Sequence, residues 1–252
     1  MTSPDHRPRA LVTGAARRLG AAFALDLARR GWDLWLHYGT SEAEARTLAQ
    51  RIGALGRRAG LVRADLASAT GAQSLIEHLD QAPPSLVVHS ASAWLEDTWA
   101  SAVLEDWEAS HRLHVWTTVV LGQALARWTQ GTGTPGHLVT LLDGRQRDHD
   151  PRHFTYVLAK GELAAVTRLL ALELAPGVRV NGLAPGLILK ADSTPSAAWA
   201  KAGRDATPLG RPGRVTELVK ALRLLVDNQF ITGQILAVDG GRHLKGDLFG
   251  SI

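Results

Sequence analysis

A chain of 252 residues with 45% hydrophobic content has enough apolar material for a large core in one or two domains. It contains no cysteine, which excludes disulfides and thiolate chemistry, and no apolar run approaches the ~20 residues a membrane span needs. The net charge of +4 and a pI of about 9.8 raise nucleic acid as a partner, but Lys and Arg form no basic stripe, and a small anionic ligand or a solvated Arg-rich surface explains them more simply. Residues 1–8 read as a flexible polar tail and not as a signal peptide, so a cytoplasmic location is expected. Apolar runs of strand length then alternate with helical patterns. The run at 10–13 precedes an amphipathic stretch at 19–30, and 34–38 precedes a helix at 41–55 that opens on the capping-box pair Ser41 and Glu44. The run at 60–64 leads to 68–79, 85–89 leads to a long pattern over 104–128, and 137–142 leads to 154–174, stopped by Pro176. Strands at 178–183 and 234–238 bring the count to seven. Alternation of this kind predicts a single α/β domain over 1–252, a Rossmann-type doubly wound parallel sheet with helices on both faces. The least patterned stretch, 187–212, is a candidate substrate lid.

The first strand runs into Thr13-Gly-Ala-Ala-Arg-Arg-Leu-Gly20, which opens a helix. In open α/β sheets ligands bind beyond the carboxyl ends of the strands, and N–H groups at a helix start suit a pyrophosphate. Gly14 permits the tight turn and Gly20 permits close helix packing. Strand two ends His37-Tyr-Gly-Thr-Ser41, without the acid that NAD enzymes usually place on the ribose 2′-hydroxyl. Thr40, Ser41 and Arg17 suit a 2′-phosphate, which favours NADPH. Asp65 with Leu66, after strand three, fits an adenine contact or, for Asp65, the cap of the next helix. Tyr156 and Lys160 lie four residues apart and share a helix face, and Asp143 closes the apolar run 137–142. A Tyr-x-x-x-Lys pair is a proton donor with its own pKa tuner: the ammonium lowers a tyrosine pKa of ~10, while an ionised Asp143 opposes it.

These motifs, with Asn181-Gly-Leu-Ala-Pro-Gly186 and Val238-Asp-Gly-Gly241, resemble the short-chain dehydrogenase/reductase family over nearly the whole chain. Within it, Arg18 in the glycine loop, Asp143 where most members have serine, and His89-Ser-Ala-Ser-Ala-Trp94 look like the pteridine reductases, most of all the bacterial dihydromonapterin reductases. The tail 239–244 is similar to the same group. The resemblance implies NADPH held by Gly14, Arg17, Arg18, Leu19, Gly20, His37, Tyr38, Thr40, Ser41, Asp65, Leu66, Ser90, Ala91, Ser92, Tyr156, Lys160, Pro185, Gly186 and Leu187. It implies a pterin held by Arg18, Ser92, Trp94, Asp143, Tyr156, Leu189 and Trp199, with Trp94 stacked on the ring. Asp143, Tyr156 and Lys160 are the implied catalytic residues. His114 stands where the family usually has an asparagine and joins them as a supporting residue, and Ser90 replaces another asparagine. Relatives form tetramers through the two long central helices, so Trp107, Trp116 and Trp128 are core or interface.

The expected reaction is NADPH-dependent reduction of a 7,8-dihydropterin (dihydromonapterin, dihydrobiopterin or dihydrofolate), with hydride to C6 and a proton from Tyr156 to N5. No metal, membrane or nucleic acid is expected to take part. A short-chain carbonyl reductase is the alternative enzyme, although an ionised Asp143 repels a developing alkoxide. A catalytically silent nucleotide-binding scaffold is the alternative of another class.

Overall fold

The computed structural model describes residues 7–144, 150–191 and 193–245. Most of the expected tail, the middle of the charged loop between Asp143 and Arg152, and Asp192 of the expected lid lie outside these residues. Seven strands form one parallel sheet: β1 (Arg9–Thr13), β2 (Asp33–Tyr38), β3 (Ala59–Arg63), β4 (Leu86–His89), β5 (Gly136–Leu141), β6 (Val178–Pro185) and β7 (Ile235–Val238). Their order is β3-β2-β1-β4-β5-β6-β7. The chain winds outward in both directions from β1 and β4, and the crevice above that reversal is where a doubly wound sheet binds ligands.

Alternate residues of each strand feed opposite faces, and both faces are buried. Ala10 and Val12 of β1, with Leu34, Leu36 and Val88, pack under α1 (Arg18–Arg29), α2 (Glu42–Gly53) and α8 (Val215–Asp227) through Phe23, Leu27, Ile52 and Leu222. Leu11, Val87 and Leu138 pack on the other face against α3 (Gly71–Leu79) and α5 (Thr117–Thr132) through Leu75, Leu121 and Leu125. Such strands read as near-continuous apolar runs because they meet a helix on each side. Two short helices, α4 (Leu104–His111) and α7 (Ser196–Ala206), and the long α6 (Phe154–Glu173) complete the layers.

The pattern at 104–128 resolves into three pieces: α4, a π-helical turn at Arg112–Trp116, and α5. The π turn sends the Thr117 N–H to Arg112 O. An α-helix would have given it to Leu113 O. Two other expectations are corrected. Ser41 occupies the N-cap position of α2 but makes no side-chain cap bond, so the capping box does not form. Its backbone (φ −87°, ψ 62°) is off the extended conformation a capping residue usually holds, and Glu44 lies 4.0 Å from Arg17 instead. Asp65 does not cap α3, which begins at Gly71 with Thr70 as N-cap; its carboxylate accepts the Ala67 N–H at 3.1 Å in a local turn. The stretch 187–212, the candidate lid, contains the helix α7, and α8 follows it in a region to which the sequence reading assigned no element.

Gly20 sits in the first turn of α1 at the closest approach of helix and loop. A Cβ there would lie 2.2 Å from Gly14 O, a backbone atom with no room to move. Gly20→Ala is expected to destabilise the fold by about 1–3 kcal/mol and to weaken dinucleotide binding. Thermal unfolding with and without NADPH checks this, and an unchanged midpoint would show that the loop has slack.

Candidate active site

Above the β1/β4 reversal the strand ends enclose a cleft of about 1010 Å³. Every residue singled out above for cofactor or substrate lines it, from Gly14 to Trp199, whereas His114 lies behind the wall.

The floor is a buried network set by β1, β2 and β4. Gly14 takes a left-handed conformation (φ +61°), and a Cβ on it would stand 2.8 Å from Ala91 Cα. Its N–H donates to His37 Nδ1 at 3.1 Å, and His37 Nε2–H donates to Ala64 O at 3.1 Å. Thr13 Oγ1 accepts the N–H groups of Ser90 and Ala91, each at 3.0 Å, and donates to His89 Nδ1 at 2.8 Å. His89 Nε2–H then donates to Leu113 O at 3.0 Å, the carbonyl released by the π turn. Burial pushes His37 down to about 4 and, with the Lys160 charge next in weight, His89 to about 3. Both imidazoles are therefore neutral struts that tie the glycine loop to its neighbours. The sequence reading placed His37 on the cofactor; it lines the cleft, but its two ring nitrogens are engaged by the protein.

On the cofactor side, the first turn of α1 opens into the cleft without a side-chain cap. Arg18 also holds a positive φ, 52°, which costs a residue with a Cβ about 1–2 kcal/mol. Its guanidinium crosses the cleft to the carbonyls of Leu189 and Lys190 at 3.3 and 3.4 Å. Arg17, Thr40 and Ser41 form the rim at the end of β2.

The reactive side is built by β5 and α6. Asp97 fixes the start of α6 by accepting the Thr155 N–H and hydroxyl, which sets the phase of Tyr156 one residue later. The Tyr156 hydroxyl donates to Asp143 Oδ2 at 2.9 Å, and Lys160 Nζ donates to Leu141 O at 2.7 Å. Lys160 lies 5.6 Å from the centre of the Tyr156 ring. Burial lowers the Lys160 pKa to about 8, against the opposing pull of Asp143. Trp94 is 49% exposed and so is not a core residue. Its ring lies 4.6 Å from that of Tyr156 and 4.0 Å from that of His153. Behind this wall His114 is fully buried, with Nδ1 2.9 Å from Ser110 O and Nε2 2.9 Å from Ser92 Oγ.

The sequence reading did not single out Asp97, His153, Thr194 or Arg242, which support or line the same cleft. Asp97 carried no local signal, because Thr155, whose N–H it accepts at the start of α6, is 58 residues away in sequence. Trp128, one of the three tryptophans left open, is buried and donates to Asp80 at 2.7 Å, whereas Trp116 is 52% exposed. No helix among the described residues is long and apolar enough to cross a membrane, and among them no group of acidic or histidine side chains suits a metal ion.

A parallel sheet with a glycine loop at its reversal and a Tyr–Lys pair across the cleft defines a nucleotide-dependent oxidoreductase. A family model described as enoyl-(acyl carrier protein) reductase matches residues 14–243. The chain belongs to the short-chain dehydrogenase/reductase family. Among its relatives, dihydromonapterin reductase of Citrobacter koseri is 29% identical over 93% of this chain and 96% of its own. Among solved structures, FolM alternative dihydrofolate reductase 1 from Brucella canis, complexed with NADP, is 33% identical with a TM-score of 0.86, covering 94% of each chain. Acetoin dehydrogenase from Enterobacter cloacae has a TM-score of 0.85 at 28% identity, covering 95% of this chain and 97% of that one.

Proposed function

We propose that this protein uses NADPH to reduce a 7,8-dihydropterin to the tetrahydropterin. The observation that carries the reading is the Asp143 carboxylate, which accepts the Tyr156 hydroxyl at 2.9 Å inside the cleft. A carbonyl reductase develops alkoxide charge beside this tyrosine, and a carboxylate there opposes it. A ring nitrogen that gains a proton has no such conflict. The half-exposed Trp94 beside Tyr156 supplies an aromatic face for a flat heterocycle. The likeness to a dihydromonapterin reductase and to an NADP-bound FolM protein supports both substrate class and cofactor.

The chain's residues fit the cofactor. The uncapped start of α1 and the close-packed Gly14 accommodate a pyrophosphate, and Arg17, Thr40 and Ser41 suit a 2′-phosphate at a rim with no acid at the end of β2. Bound NADPH supplies the hydride. Lys160, held by Leu141 O, places an ammonium beside the tyrosine, Tyr156 hands a proton to N5 of the pterin, and Asp143 orients that hydroxyl and relays the proton that replaces it. Arg18, Leu189 and Trp199 bound the substrate end, with 187–212 as its lid. Assembly into a tetramer through α5 and α6 belongs to the same reading, with Trp116, just before α5, exposed at 52% and Leu169 and Leu172 of α6 at 59% and 77%. So does a cytoplasmic location.

The test is oxidation of NADPH by the purified protein with 7,8-dihydromonapterin, dihydrofolate or acetoin, for wild type and Asp143→Ser. Pterin turnover that Asp143→Ser lowers by at least tenfold is the expected result. Acetoin turnover without pterin turnover would replace this reading with carbonyl reduction, and NADPH binding without any turnover would indicate a silent scaffold.

A further inference from the structure

His114 is buried behind the substrate wall, and the polarity of its hydrogen bonds is fixed by its neighbours. Nδ1 lies 2.9 Å from the Ser110 carbonyl, a group that only accepts, and 3.4 Å from the Ser110 hydroxyl, so the carbonyl is the nearer partner and sets the polarity. A bare Nδ1 would set two lone pairs against each other, so Nδ1 carries the proton. The imidazole is neutral: burial, then the Lys160 charge, hold it well below the usual histidine range. Nε2 therefore has a lone pair, and the group 2.9 Å away is the Ser92 hydroxyl. That hydroxyl donates to His114. Ser92 itself is exposed in the cleft wall, two residues before Trp94.

We propose that His114 is a positioning residue that determines specificity: by taking the Ser92 proton it leaves Ser92 Oγ facing the cleft as an acceptor, so that the site selects a substrate whose ring edge brings an N–H donor there. A free serine hydroxyl rotates and serves donors and acceptors alike. A serine locked from behind serves donors only, and an acceptor placed against it meets unpaired lone pairs. The amino-pyrimidine edge of a pterin carries such donors, whereas the oxygen of a simple ketone does not. The inference rests on the dihydropterin reading and refines it, turning a supporting histidine into a filter that acts through Ser92.

Two measurements test it. The first compares the parent 7,8-dihydropterin with analogues lacking one donor each, the 2-amino group replaced by hydrogen or N3–H by N3-methyl, in wild type and His114→Leu. In wild type, one analogue is expected to show a KM about 10–100-fold above the parent, the range for an unsatisfied buried polar group. In His114→Leu, where Ser92 is free to rotate, the ratio is expected to fall below about threefold. Turnover of the parent with no penalised analogue, or with a ratio unchanged by His114→Leu, overturns this inference and leaves the pterin reading standing. No turnover of the parent sinks both. The second measurement is independent of substrate and of the variant's folding. ¹⁵N NMR of the wild-type protein is expected to show the proton of His114 on Nδ1 and an unprotonated Nε2. A proton on Nε2 overturns the proposal whatever the kinetics give.

Discussion

Tyr156→Phe is expected to lower turnover of a 7,8-dihydropterin by about 10²–10⁴-fold, the span a positioned general acid contributes. The change removes one oxygen and little else. The ring keeps its neighbours, with Trp94 at 4.6 Å and the edge of His114 at 5.7 Å, so the wall should stand. What disappears is the hydroxyl that donates to Asp143 and, in the proposed reaction, to the substrate. Asp143→Asn separates the two partners: an amide retains the shape but cannot carry the carboxylate's charge, so activity is expected to fall and its pH dependence to change. Single-turnover rates with NADPH in excess provide the check. Activity in Tyr156→Phe within threefold of wild type would remove Tyr156 from the chemistry and leave the protein to another proton source.

The second large effect concerns Lys160, whose activity and stability are expected to move in opposite directions. Its pKa falls from 10.5 to about 8 because the ammonium is buried. Between about pH 8 and 10.5 the unfolded chain holds a proton that the native state has shed, so this residue's contribution to stability improves as pH rises through that window. Below pH 8 the penalty is present in full, about 3 kcal/mol at ~1.4 kcal/mol per unit. Lys160→Met removes it and forfeits the charge-assisted bond to Leu141 O, which is worth about 1.5–3 kcal/mol. The variant is therefore expected to be up to about 1.5 kcal/mol more stable than wild type at pH 7, with the advantage gone by about pH 10.5. Its turnover should drop by at least tenfold. Wild-type activity, which needs the ammonium, should decline as pH rises through about 8. Denaturant titrations of both proteins at pH 7 and 10, beside a pH–rate profile, test the pair. A less stable Met variant at pH 7 would mean that the buried charge is compensated by partners beyond Leu141.

Much of the sheet was legible because its strands are buried on both faces and stand out as short apolar blocks, 10–13 and 137–142 being examples. The helices after β6 were missed for opposite reasons. α7 is short and rich in Ala, with Gly203 buried against Pro212, so its pattern is faint. α8 has a well-formed apolar face in Leu218, Leu222 and Leu225, but it follows a stretch whose glycines and prolines suggested loop. At the site, Tyr156, Lys160 and Asp143 were legible through spacing and strand position. The roles of the histidines were not, since a sequence shows an imidazole but not its hydrogen-bond partners. His37 and His89 became struts only once Ala64 O and Leu113 O were seen to accept from them, and His114 is tied to Ser92 across a tertiary contact.

The π turn at Arg112–Trp116 has one more consequence, in rotational phase. Each helical residue advances the side-chain direction by about 100°, so one surplus residue in a turn swings everything before it around the axis relative to everything after. α4 and α5 thus belong to one rod whose two halves are keyed about a quarter-turn apart. The first half carries Ser110 inward and the second carries Leu121 and Leu125 into the core. Removing a single residue from this turn would unwind that offset, return the Leu113 carbonyl to the helix and strip His89 of its acceptor, at a point in the chain where no side chain touches the cleft except that of Leu113.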